Sequence, residues 1–187
     1  MTPILFCRDD SAYKNRQDCD VYDKSRNALT YNGSDPVIAH PPCRAWGCLS
    51  HMAKPEAGER ELAIWAVGVI RKNGGILEHP AKSKLWAHCG LPYPNGLPDG
   101  DGGFSVLVDQ YAFGHVANKP TNLYIVGAYP DQLPAIPRKH GRASKSITGQ
   151  VPNTTRCTQY EREYTPEALI DWMLAVCKII KANKVNP

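Results

Sequence analysis

A chain of 187 residues with 42% hydrophobic and 21% charged side chains suits one domain, residues 1–187, able to bury about 70% of the surface its unfolded form exposes without a disulfide or metal staple. This composition excludes a disordered or disulfide-framed protein, and no apolar run approaches the ~20 residues that cross a bilayer, so no membrane partner is expected. The net charge of +4 permits a polyanionic partner only through a local patch, while seven cysteines and the lack of a secretory leader predict a reduced, cytoplasmic setting.

Pro3-Ile4-Leu5-Phe6-Cys7 is a short apolar run that ends in Arg8-Asp9-Asp10, the pattern of a buried strand emptying into a polar loop. Asp20-Val21-Tyr22-Asp23 predicts a second short strand closing on an acid. After turn signals over 31–36, Pro36-Val37-Ile38-Ala39 feeds His40-Pro41-Pro42-Cys43-Arg44-Ala45-Trp46-Gly47. The two prolines fix φ and donate no N–H, so the strand stops and Cys43 stands just past its carboxyl end. Open α/β sheets bind ligands at that edge. A structural turn with a buried cysteine is the other meaning of such a segment.

From Glu56 to Lys72 an amphipathic helix is expected, with Leu62, Trp65, Ala66, Val69 and Ile70 on its buried face and Arg71 and Lys72 in its last turn. Asn73-Gly74-Gly75 stops it, and Ile76-Leu77-Glu78 turns at once into a strand ending in Glu78-His79-Pro80. Helix then strand, with a polar group at the strand tip, is the grammar of a βαβ unit. Residues 90–103 form a loop, Ser105 to Phe113 and Asn122 to Val126 read as strands, and 128–162 is a loop-rich insertion. Its cluster Arg138-Lys139-His140-Gly141-Arg142-Ala143-Ser144-Lys145 is the candidate for nucleic-acid backbone contact through Arg138, Lys139, Arg142 and Lys145, a solvated basic loop being the alternative. Thr165-Pro166-Glu167 opens a last helix that buries Leu169, Trp172, Met173, Val176 and Ile180. The elements predict an α/β fold with a mostly parallel sheet and long loops.

Three motifs stand in order: Pro41-Pro42-Cys43, Glu78-His79-Pro80, and Phe113-Gly114 through Lys119-Pro120-Thr121. Over about residues 36 to 127 this arrangement resembles the cytosine-5 DNA methyltransferase family, and more closely its short phage-type relatives. The resemblance implies a single Rossmann-like, methyltransferase-like domain that modifies a cytosine or other pyrimidine in DNA, another nucleic acid or a nucleotide, in a bacterial cytoplasm. It implies that Cys43 adds to ring carbon 6 and that Glu78 holds ring nitrogen 3 and the exocyclic amine. Pro42, Arg44, Trp46, His79, Lys119 and Thr121 then fall at substrate-binding positions, with Arg44 and His40 as neighbours able to lower the thiol pKa. S-adenosylmethionine is the implied cofactor, with Phe6, Asp9, Asp23 and His40 at its positions, and no metal is implied. The chain departs from the family in lacking the glycine-rich loop after the first strand, since no glycine occurs before Gly33. It also carries His79 where the family has asparagine, Trp46-Gly47 in place of a serine, and only 128–162 in place of a target-recognition domain.

Two other classes stay open. One is a methyltransferase-like scaffold without chemistry that binds nucleic acid or protein. The other is a zinc site built from His40, Cys43, Cys48 and His51, with His88 and Cys89 nearby in sequence, although the spacing is not that of a standard finger.

Overall fold

Six strands form one sheet in the order β2-β1-β3-β4-β7-β5, made of β1 (Thr2–Leu5), β2 (Cys19–Tyr22), β3 (Val37–Ala39), β4 (Gly75–Pro80), β5 (Phe104–Asp109) and β7 (Pro120–Val126). The computed structural model describes residues 1–47, 50–138 and 140–185, and Met52 in its backbone only. β1 pairs in parallel with β2 and β3, and β3 with β4, whereas β7 runs antiparallel to both β4 and β5. Only β7 is reversed, so the sheet is mostly parallel and the protein is α/β. The two-residue strands β6 (Ala117–Asn118), β8 (Lys145–Ser146) and β9 (Thr155–Arg156) make a second, small parallel sheet.

A parallel sheet must be covered on both faces because its crossovers lie there. Helix α1 (Glu59–Asn73) and the short α2 (Leu85–Cys89) cover one face, packing Ala63, Ala66, Ile70 and Trp86 against Leu5, Ala39, Leu77 and Tyr124. Helix α4 (Glu167–Val185) covers the other, packing Leu169, Met173, Val176 and Ile180 against Ile4, Ile38, Ile76 and Leu123. The alternation of side chains along β4 therefore sends Ile76 to the α4 face and Leu77 to the α1 face. At the start of that strand Gly75, paired with Val37, has φ +132, and a Cβ there would lie 2.1 Å from the Val37 carbonyl oxygen. Only glycine lets β3 and β4 approach this closely.

The expected strands after residues 3, 20, 36 and 76 and the last helix all form, and every residue assigned to the buried face of that helix is buried. Three expectations change. The buried stripe of α1 runs through Ala63, Ala66, Val67 and Ile70, leaving Leu62, Trp65 and Val69 half-buried at its margin. Two alanines let the helix sit closer to the sheet than a stripe of bulky residues would, and Trp65 packs edge-on against Phe6 at 5.9 Å instead. The strand expected over 105–113 stops at Asp109, whose carboxylate accepts the Tyr111 amide and starts a 3-10 turn through Phe113. The region 128–162 contains β8, β9 and most of α3 (Gln159–Glu163), the last opened by a capping box between Thr158 and Glu161.

Candidate active site

Parallel pairing brings the carboxyl ends of β1, β3 and β4 to one edge of the sheet. Reversed β7 starts at the same edge, with Thr121 opposite Pro80 and Pro120 opposite Asp109. The strand order reverses between β1 and β3, because the chain leaves β1 outward to β2 and then returns inward to β3. Such a switch point opens the crevice in which α/β proteins place their ligands. His40 and Cys43, Glu78, Gln110, Lys119 and Thr121 all belong to strand ends at this edge, and the loop after β1 adds Tyr13.

Glu78 points to the α4 face and His79 to the opposite one, as their adjacency on β4 requires. The Glu78 carboxylate is tied on both oxygens: Gln110 Nε2 donates to Oε1 at 3.0 Å and His40 Nδ1 lies 3.1 Å from Oε2. The Thr121 hydroxyl donates to the Lys119 carbonyl at 3.1 Å and accepts from Gln110 Nε2 at 3.0 Å, which fixes the Gln110 amide with its nitrogen toward Glu78. Burial holds the Tyr13 phenol far above its usual pKa, so this hydroxyl is a donor, and it meets His40 Nε2 at 3.1 Å. Tyr13, His40 and Glu78 thus form a chain in which each group orients the next, with the His40 Nδ1 proton facing the carboxylate. Burial by itself would push the Glu78 carboxyl up; the His40 hydrogen bond and the Lys119 charge outweigh it and bring the pKa down to about 2. Glu78 rests as a carboxylate.

Cys43 follows β3 through the two prolines, and its carbonyl accepts the amides of Trp46 at 3.0 Å and Gly47 at 2.9 Å, closing the turn that presents it. The residue is exposed. Its thiol nevertheless faces protein, so burial first and the Glu78 charge second raise its pKa above the ordinary thiol value, with Lys119 pulling the other way. Lys119, lowered by burial and raised by Glu78 and Cys43, donates from Nζ to the Tyr164 carbonyl at 2.9 Å. Thiol, carboxylate and ammonium therefore share one electrostatic environment, with the proton on sulfur at rest.

The remaining sequence candidates lie elsewhere. Arg44 makes a bidentate pair with Glu59 on α1, at 3.1 and 2.6 Å, and Trp46 is fully buried with its Nε1 on the Arg60 carbonyl at 3.2 Å. His79 is 1% exposed near Trp86, its two ring nitrogens without a hydrogen-bond partner in the structure. Pro42, half-buried, directly precedes Cys43, and its backbone lies beside His79. Arg138 and Arg142 are exposed, Arg142 donating to the Pro152 carbonyl, while Lys145 is paired with Glu161. Lys139 and Cys48 fall outside the described residues.

Of the positions implied for S-adenosylmethionine, Asp9 lines a cleft of about 370 Å³ with Cys7, Arg8, Asp10, Lys24 and Glu163, Phe6 and Asp23 adjoin Cys7 and Lys24 in sequence, and His40 is engaged by Tyr13 and Glu78. The residues present do not fit that cofactor. Asp23 is taken by Lys14 at 2.6 Å and by hydrogen bonds from Ser25 and Arg26, leaving it ill placed to hold a ribose. Arg8 bridges Asp10 and Glu163 across the cleft, and Lys24 adds a second cation to its lining, a like charge for any sulfonium. Phe6 reaches φ 60 at the end of β1, a left-handed backbone, but with a side chain in place of the glycine that a close approach would use.

Tyr13 and Gln110 were not singled out by the sequence. Asp109, whose oxygen also accepts the Lys119 amide at 2.9 Å, is the cap signal that could have exposed Gln110. Among the described residues no three His, Cys, Asp or Glu side chains form a metal-binding group, and no helix is long and apolar enough to cross a membrane. No family model, curated protein or solved structure matches this chain.

Proposed function

We propose that the protein acts on a pyrimidine base of a nucleic acid or nucleotide, with Cys43 as nucleophile at ring carbon 6 and Glu78 facing ring nitrogen 3, on a Rossmann-like, methyltransferase-like scaffold. The observation that carries this reading is that Cys43, Glu78 and Lys119 come from neighbouring strand ends at the switch-point edge and feel one another's charge. The motif order and the strand order support it.

The resting protonation states define the first step. Glu78 takes the proton from the Cys43 thiol and passes it to nitrogen 3 of a cytosine, while sulfur bonds to carbon 6 and the carbon 5–carbon 6 π pair moves through the ring to nitrogen 3. In sum, S–H adds across the ring and carbon 5 becomes enamine-like. Lys119 stabilises the thiolate in passing, Gln110 and His40 hold the carboxylate in place, and Tyr13 holds His40. Methyl transfer to carbon 5 is the reaction implied by the resemblance, although the cleft does not fit its usual donor.

The adduct has a donor-independent test. In heavy water an adduct takes a deuteron at carbon 5, then loses the original proton and the sulfur, so cytosine oligonucleotides exchange hydrogen for deuterium at carbon 5. Exchange abolished in Cys43→Ala is expected. Its complete lack in the intact protein would sink the catalytic account and favour the second reading, a binding scaffold without chemistry. The raised thiol pKa and the occupied Asp23 favour that reading.

A further inference from the structure

We infer that the cavity beside α3 is a nucleobase-stacking site for single-stranded nucleic acid, placing the base next to the one held at Cys43 and Glu78. The inference rests on the nucleic-acid half of the proposed function but not on its chemistry. The cavity measures about 290 Å³ and is lined by Gly114, His115, Val116, Tyr160, Glu161 and Tyr164. That is the low end of the volumes in which proteins hold small ligands, suited to one planar ring.

Its wall is aromatic and open. Tyr160 is 51% exposed and lies 5.9 Å from the Tyr164 ring at a tilt of 31°. Arg8 sits 5.4 Å from the Tyr160 ring centre, adding a guanidinium to the platform. Exposed tyrosine with arginine beside it is the surface on which unpaired bases stack, since every base has a π face.

Charge selects the partner. Residues 138–164 carry Arg138, Lys139, Arg142, Lys145, Arg156 and Arg162 against Glu161 and Glu163, a net +4 equal to that of the whole chain. The rest of the protein is balanced in charge, so the positive excess is concentrated on the segment that ends in the aromatic wall. A polyanion with exposed bases fits both features; a duplex offers the charge but hides its base faces.

Position links the cavity to the site. The Tyr164 carbonyl accepts Lys119 Nζ at 2.9 Å, the Glu161 carbonyl meets His115 Nε2 at 2.7 Å, and the Glu163 carboxylate pairs with Arg8 at 2.7 Å. Lys119 is the cation felt by both Cys43 and Glu78. Lys119 is thus common to the surroundings of both sites, and neighbouring nucleotides of one strand would occupy them in turn.

Fluorescence anisotropy of labelled twelve-nucleotide single strands and of the matching duplex tests this. Single strands are expected to bind more tightly than duplex. Tyr160→Ala and Tyr160→Leu should each weaken single-strand binding about fivefold or more, with Tyr160→Phe near the original affinity. Circular dichroism establishes that each variant folds, and Tyr160→Leu keeps the bulk if the alanine variant does not. Equal affinity for duplex, no single-strand binding, or unchanged binding in Tyr160→Leu would overturn the inference. Tyr160-dependent binding by an intact protein that catalyses no carbon-5 exchange would uphold it while removing the catalytic reading alone.

Discussion

His40 and Glu78 meet at 3.1 Å between Nδ1 and Oε2, tying the turn after β3 to the strand that follows α1. The contact joins the turn that carries Cys43 to the strand that carries the carboxylate, and it is one reason the Glu78 carboxyl ionises as low as about 2.

His40→Phe removes this donor and should cost about 1.5–3 kcal/mol at neutral pH, the worth of a hydrogen bond to a charged group. Because the folded-state pKa of Glu78 is depressed, its contribution is present above the unfolded carboxylate pKa of about 4.3 and is lost as pH falls toward about 2. The gap between intact and variant protein in urea titrations should therefore be widest at neutral pH and shrink in acid. A gap independent of pH would mean that the contact is only packing.

Cys43 should react with iodoacetamide more slowly at neutral pH than a free thiol, because burial and Glu78 raise its pKa. Glu78→Gln removes the repelling charge and should speed the reaction at neutral pH. Lys119→Met removes the stabilising cation and should slow it. Rates against pH, read by mass spectrometry at Cys43, check both signs, and shifts in the same direction would break the electrostatic account of the site.

His79 is held neutral, burial lowering its pKa to about 4, so it withholds a proton that the unfolded chain takes up near 6.5. Its contribution to stability is complete above that value and is lost as pH falls toward about 4. Between about pH 8 and about pH 5 this amounts to roughly 2 kcal/mol. Chemical denaturation at the two pH values should show that difference in the intact protein and a smaller one in His79→Asn.

Arg44 pairs with Glu59, which is 3% exposed, while Arg44 itself is half-exposed. Arg44→Ala should lower stability by about 1–2 kcal/mol, water reaching the pair from the arginine side. It should leave the alkylation rate of Cys43 unchanged, because the guanidinium is committed to α1. Slower alkylation in this variant would restore Arg44 as a thiol activator.

What could be read from the residues followed from backbone chemistry. Pro41 and Pro42 announce the end of β3, Gly74 and Gly75 announce the turn into β4, and the spacing of apolar residues announces α1 and α4. Positions set by strand pairing were not legible in the same way. Gln110 reaches Glu78 only because β5 stops at Asp109 and β7 returns antiparallel between β4 and β5, which no local pattern states. Tyr13 looks like an aromatic in a polar loop until the loop folds back over β3. Arg44 and Trp46 follow the cysteine in sequence, yet the turn sends them toward α1, so adjacency in the chain misleads about adjacency in space.

Gly75 has a consequence at the opposite end of its strand. The contact that lets β3 lie tight against β4 is made where both strands begin, whereas His40 and Glu78 meet where they end. A methyl group introduced at residue 75 would wedge the pair apart at its base, and the separation of sulfur from carboxylate would change without any alteration within reach of a substrate.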